Sequence, residues 1–205
     1  MDDFARTFVS EAESAASRPA HALRVLVGMT GASGAAYAVD FLRRFPGEKF
    51  LVMSKWARAV LHAEVGLREE DLDEFVKARF SDADLAAPFS SGSNPFDAYV
   101  ILPCSSSTAA KIAAGLGDTL ITRAAQVALK ERRRLVVCVR ETPLSTIQLE
   151  ALTRLSQAGA IVFPLSPPWY GKPETASDLV RATTGKLLRL LGVEVPGGWR
   201  SEDLE

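Results

Sequence analysis

Short apolar runs alternate with longer amphipathic stretches along most of this chain, and that alternation constrains its fold more than any other feature. The runs are Leu23–Val27, Lys49–Met53, Ala98–Leu102, Leu135–Val139 and Ala160–Phe163. Each is bounded by polar or turn-forming residues, the pattern of a buried strand. The segments between them have helical spacing and recognisable starts. Ser54 fits the N-cap of a helix over Lys55–Glu64, and Asp118 that of a helix reaching about Lys130. Ser145-x-x-Gln148 and Thr175-x-x-Asp178 read as capping boxes, the second opening a last helix through Leu191. Glu69–Phe80 reads as a charged surface helix, and Pro88–Pro95, with S-S-G-S-N inside it, as a loop. Strands alternating with helices predict one α/β domain, a parallel sheet with helices on both faces. The turns that leave the strands then gather at one rim, where open sheets of this kind bind ligands.

The first of those turns is G-M-T-G-A-S-G-A-A-Y, Gly28 to Tyr37, between a strand and a helix start. Gly28, Gly31 and Gly34 allow sharp bends and close approach, and the helix N-terminus favours an anion. Thr30 and Ser33 add hydroxyls. The stretch reads as a phosphate cradle or as a plain tight turn. It has neither the spacing of the dinucleotide fingerprint nor the Lys of a Walker loop. A second hydroxyl-rich turn, Pro103-Cys104-Ser105-Ser106-Ser107-Thr108, leads into a helix at Ala109–Ala114. Its hydroxyls either cap that helix or touch a ligand. Two such turns on one rim make a shared pocket more credible.

Composition removes several classes of function. The chain has 205 residues, 47% hydrophobic and 24% charged, which suits one globular domain with a sizeable core. A net charge of -1 makes no electrostatic case for nucleic acid or an anionic membrane. Cys104, Cys138, His21 and His62 are too scattered to form a metal-ligand cluster. No apolar span is long enough for a bilayer. Residues 1–21 lack a signal pattern, and their acids argue against a transit peptide. They are expected to be a flexible leader before a domain over 22–193 and a tail over 194–205. A cytoplasmic location is expected.

Other polar side chains stand out by position. Arg123 and Lys130 are seven apart, on one helix face. Arg140-Glu141 leaves a buried strand as a charged pair, able to satisfy each other or to serve a bound phosphate and its proton. Trp169 and Tyr170 sit in a proline-stiffened loop that suits an apolar lid or a subunit contact.

Together, G-M-T-G-A-S-G-A, P-C-S-S-S-T, D-T-L-I-T-R-A-A-Q-V-A-L-K-E-R-R, R-E-T-P-L and P-P-W-Y-G-K-P resemble the UbiX/Pad1-type flavin prenyltransferases, over roughly Leu23 to Val193. The resemblance implies a flavodoxin-like or Rossmann-like three-layer fold, assembled as a dodecamer of trimers. It implies a metal-independent reaction between reduced FMN and dimethylallyl phosphate, the pyrophosphate in some members. The prenyl carbons join N5 and C6 of the flavin in a fourth ring, phosphate leaves, and prenylated FMN serves a UbiD-type decarboxylase.

Matched residue by residue, the resemblance implies FMN contacts at Gly31, Ala32 and Ser33, with Ser33 near N5. It implies further FMN contacts at Ser54, Ser105, Ser106, Ser107, Thr108 and Arg140. Arg123, Lys130, Arg140, Glu141, Tyr170 and Lys186 match positions around the prenyl phosphate. Glu64 matches an active-site glutamate, and Trp199 a tryptophan that closes the site. Lys130, Arg140 and Lys186 would stabilise the charge on the leaving phosphate. Glu141 would act as general acid/base, its pKa moderated by Arg140. Relatives mostly carry Arg where Lys186 stands and often Met where Ser106 stands. The alternatives are an FMN-dependent cysteine-type decarboxylase, for which His62 is the sole catalytic histidine candidate, and a flavin carrier without chemistry.

Overall fold

The structure, a computed structural model, describes residues 23–196; the expected leader and Trp199 lie outside the described residues. Six strands, β1 (Arg24–Met29), β2 (Glu48–Met53), β3 (Ala78–Ser81), β4 (Ala98–Cys104), β5 (Arg134–Val139) and β6 (Ile161–Pro164), form one sheet. All neighbouring pairs are parallel, in the order β3-β2-β1-β4-β5-β6. The helices are α1 (Ala35–Arg44), α2 (Lys55–Val65), α3 (Ser106–Ala113), α4 (Leu120–Lys130), α5 (Thr146–Gln157) and α6 (Ala176–Leu190). The chain winds outward from β1 to β3, then crosses back to β4 on the other side of β1. This is the doubly wound order, with its switch point between the carboxyl ends of β1 and β4.

The five expected strands form, and a sixth appears where a helix was expected. Glu69–Phe75 is a 3-10 segment and Ala78–Ser81 is β3, an edge strand. Its charges made it read as a surface helix. They are there because an edge strand needs them: Arg79 pairs with Asp73 and Glu69, and Lys77 with Glu48. Phe80, next after Arg79, packs against the core. Pro88–Ser90, expected as loop, is a short 3-10 turn with Phe89 buried. The α4 cap is Thr119, in a reciprocal box with Thr122, rather than Asp118. The α3 helix begins at Ser106, earlier than expected, because Ser105 caps it by accepting from the Thr108 N–H. Ser54, Ser145 and Thr175 cap α2, α5 and α6 as expected.

Alternation along the strands makes two cores. Val25, Val27, Met29, Val100, Leu102, Val136 and Cys138 face α1, α2 and α6. Leu26, Tyr99, Ile101, Cys104, Val137 and Val139 face α3, α4 and α5. Each fully buried Leu, Ile, Val or Met side chain contributes about 1.5–3 kcal/mol. Gly28 belongs to this packing and not to a cradle. It lies in β1, and a Cβ there would sit 2.5 Å from the Tyr99 hydroxyl. That hydroxyl is buried and donates to the Ile121 carbonyl at 3.1 Å.

Candidate active site

Two turns, after β1 and after β4, meet at the switch point, and Thr30 joins them. Its buried hydroxyl donates to the Pro103 carbonyl at 2.9 Å and accepts from the Ser105 N–H at 2.7 Å. The Thr30 N–H also donates to Pro103. Thr30 is therefore a clip between the turns, not the ligand hydroxyl its position suggested. Beside it opens a cleft of about 490 Å³, lined by Thr30, Gly31, Ser54, Trp56, Asp82, Ser105, Ser107, Thr108, Lys111, Thr119, Ile121 and Thr122. This is within the size range of cofactor sites.

Four helices, α1 to α4, begin near this rim, and their N-termini are of two kinds. Gly34, at φ 115°, carries the chain into α1 through a left-handed conformation that favours glycine. The Gly34 and Ala35 N–H groups both donate to one Glu64 oxygen, each at 2.9 Å, and the Ser33 hydroxyl bonds the same carboxylate. The anion at the expected phosphate cradle is thus the protein's own. Partial burial pushes the Glu64 pKa up, but Ser33, the two N–H groups and the charge of Arg140 outweigh it and hold the carboxyl below its ordinary range. At α4, Asp82 accepts from Leu120 through its carbonyl and from Ile121 through its carboxylate, both at 2.8 Å. At α2 and α3, the caps Ser54 and Ser105 satisfy Ala57 and Thr108. No acceptor among the described residues reaches the N–H groups of Lys55, Trp56, Ser106 or Ser107. These two open N-termini face the cleft.

Arg140 and Glu141 do not pair. Successive residues leaving a strand point to opposite sheet faces. Arg140 turns to the α1 face, where its charge acts on Glu64 and Tyr37. Tyr37 lies against Thr183 of α6; burial pushes its pKa up, and the Thr183 bond and Arg140 offset part of that. Glu141 turns to the α3 face, accepting from the Ser106 hydroxyl at 2.9 Å and the Thr142 N–H at 3.2 Å. The expectation that Arg140 moderates Glu141 does not fit this geometry. Instead the pair straddles the rim, one charge on each turn.

The remaining candidates divide. Ala32 is buried, and Ser33 and Ser106 are occupied by Glu64 and Glu141. Tyr170 and Trp169 are exposed in the loop after β6, and Lys186 is exposed on α6. Arg123 and Lys130 do not join the site within this chain. Arg123 donates to the Ser90 carbonyl at 3.0 Å, and Lys130 pairs with Glu131 beside Gly92. Lys130 ends α4 just before β5 begins, at the amino rim of the sheet. His62 is exposed on α2 and outside the cleft lining. Burial pushes the Cys104 thiol far up, so the cysteine in the second turn is no nucleophile. Sequence reasoning passed over Trp56, Asp82 and Lys111. None of the three belongs to a motif that marks a site: Trp56 lies inside the stretch expected as a helix, and Asp82 and Lys111 are isolated charges.

The cleft, its hydroxyls and its open N–H groups fit a flavin nucleotide, which needs polar contacts along one edge and an anion site. Comparisons with known proteins agree. The Flavoprotein family profile matches residues 13–188. Flavin prenyltransferase UbiX of Thermoplasma acidophilum is 49% identical over 172 residues, 83% of this chain and 96% of the relative. A UbiX (PadA1) crystal structure in complex with FMN and dimethylallyl pyrophosphate is 40% identical, with a TM-score of 0.82 over 88% of this chain and 100% of that one. A dodecameric FMN-dependent UbiX-like decarboxylase from Escherichia coli O157:H7 is also 40% identical, with a TM-score of 0.83 over 86% and 99%. The chain belongs to the UbiX family of flavin prenyltransferases, within the flavoproteins.

Proposed function

We propose that this protein joins a dimethylallyl group from dimethylallyl phosphate to N5 and C6 of reduced FMN. The observation that carries the reading is the split pair: Arg140 with Ser33 and Glu64 on one side of the rim, Glu141 with Ser106 on the other, around a flavin-sized cleft. FMN, when bound, would supply the two nucleophilic ring atoms: the bond to N5 would replace the prenyl C–O bond, phosphate leaving with its electron pair, and the bond to C6 would consume the prenyl C=C, the N5 and C6 hydrogens leaving as protons, one taken up by the other alkene carbon and one by the phosphate. Gly31, Ser54, Ser105, Ser107 and Thr108 hold the flavin. Ser33, with its hydroxyl bonded to Glu64, would stand near N5 of the flavin. Arg140 stabilises charge on the leaving phosphate. Glu141, reached through Ser106, handles a proton at the phosphate as general acid/base.

Arg123 and Lys130 cannot reach that centre from within their own chain, so a neighbouring subunit presents them to it. An assembly such as a dodecamer meets this requirement, and Tyr170 and Lys186 complete the phosphate site. The product, prenylated FMN, passes to a UbiD-type decarboxylase, in the cytoplasm. Among the described residues no helix is long and apolar enough to cross a membrane, and no metal-ligand cluster forms.

The test is anaerobic incubation with FMN, a reductant and dimethylallyl phosphate, followed by mass analysis of the released flavin. A five-carbon adduct is expected. Tightly bound but unmodified FMN would reject the transferase reading in favour of a carrier.

A further inference from the structure

FMN and riboflavin share a ring and a ribityl chain and differ by one phosphate. Hydroxyls and backbone N–H groups contact both parts of such a ligand without carrying net charge. The described cleft lining contains two charged side chains, Asp82 and Lys111. Asp82 is committed to the α4 N-terminus. Lys111 is on α3, four residues after Ser107 and three after Thr108, so all three share a helix face. Its ammonium sits 2.6 Å from an Asp118 oxygen, while the side chain stays 44% exposed. Asp118 is in turn steadied by the Thr122 hydroxyl, which donates to it at 3.2 Å.

We propose that Lys111 is the residue that makes this cleft prefer phosphorylated flavin, pairing with the FMN phosphate, and that Asp118 competes with the phosphate for its ammonium. The inference rests on the flavin reading above. Lys111 is the one cation among the described lining residues, so it is the charge available there to balance a dianion. It is a point charge on a flexible stem, able to leave a surface carboxylate for a second anion. An exposed ion pair is weak, so the exchange costs little. Neutralising Asp118 then removes both a competitor and a repelling charge.

The experiment titrates FMN and riboflavin separately into full-length wild type, Lys111→Met and Asp118→Asn, following flavin fluorescence at low and high salt. Lys111→Met is expected to weaken FMN binding about tenfold and leave riboflavin unchanged. Asp118→Asn is expected to tighten FMN about threefold, again without effect on riboflavin. The wild-type preference for FMN should shrink with salt, and that of Lys111→Met should not. Riboflavin binding doubles as the check that each variant is folded. If Lys111→Met shifts both ligands equally, or neither, the assignment of Lys111 is overturned. If Asp118→Asn weakens FMN, Asp118 positions the lysine and the competition is overturned. Wild type that binds neither ligand would overturn the flavin reading itself, and this inference with it.

Discussion

The turn after β1 and the turn after β4 each end a buried strand, start a helix and stand beside the same cleft, yet their helix N-termini are satisfied in opposite ways. At α1, Glu64 takes both the Gly34 and Ala35 N–H groups. At α3, Ser105 caps one N–H, and Ser106 and Ser107 keep theirs toward the cleft. Glu64 is drawn to the closed end by the favourable helix dipole and by Ser33 and Arg140. The open end is kept open because Glu141 is bound by the Ser106 hydroxyl and Thr142 N–H, not by the α3 backbone. A glycine-rich turn at a strand's end is thus not by itself a ligand site; what matters is whether the protein has already supplied the anion.

Glu141→Gln probes the open side most severely. It keeps the shape and the Ser106 contact but removes the proton acceptor, so prenylation should fall about 10³-fold while FMN affinity holds. Single-turnover mass analysis beside an FMN titration reads both; turnover like wild type would remove Glu141 from the chemistry. Mixing Glu141→Gln subunits with Lys130→Ala subunits should restore part of the activity that neither has alone. No recovery in mixed oligomers would show that Lys130 does not act across subunits.

The link between the two turns comes next. Thr30→Val leaves the buried Ser105 N–H without its acceptor, at a cost of about 2 kcal/mol in urea unfolding. FMN binding should weaken with it, because both turns lose their mutual register. Unchanged stability would mean the clip contributes nothing.

Breaking the closed side should be milder. Glu64→Gln keeps one acceptor oxygen and loses its charge, costing about 1 kcal/mol at pH 7. The folded carboxyl lies below its ordinary pKa, so its contribution is present above the unfolded value and fades as pH falls through the folded one. Unfolding curves of wild type and Glu64→Gln should therefore converge as pH falls below the ordinary carboxylate range. A gap independent of pH would show that shape, not charge, fills the α1 N-terminus. Ser54→Ala should have the smallest effect, about 0.5–1 kcal/mol, because it removes a single cap bond to Ala57 at 3.1 Å. A larger loss would mean that Ser54 also holds the rim together.

Local chemistry carried far in this molecule. Five apolar runs, three of the caps and the alternation of strands with helices were legible because each depends on neighbours within a few residues. The resemblance of R-E-T-P-L and P-P-W-Y-G-K-P to known flavin prenyltransferases identified the family before any geometry. Partners far apart in sequence were not legible. Glu64 reaches Gly34 across 30 residues, Thr30 reaches Ser105 across 75, and Ser106 reaches Glu141 across 35. Edge strand β3 hid behind charges whose purpose depends on β2 beside it and on the 3-10 segment before it. The fate of Arg140 and Glu141 turned on which sheet face each one meets, a matter of strand alternation combined with helix placement. Sequence alone thus determined most of the elements, the fold class and the family, since these follow from short-range pattern. Only tertiary structure decided which of two similar turns is filled by the protein's own carboxylate and which faces the cleft, because that depends on long-range pairing of backbone N–H groups with acceptors.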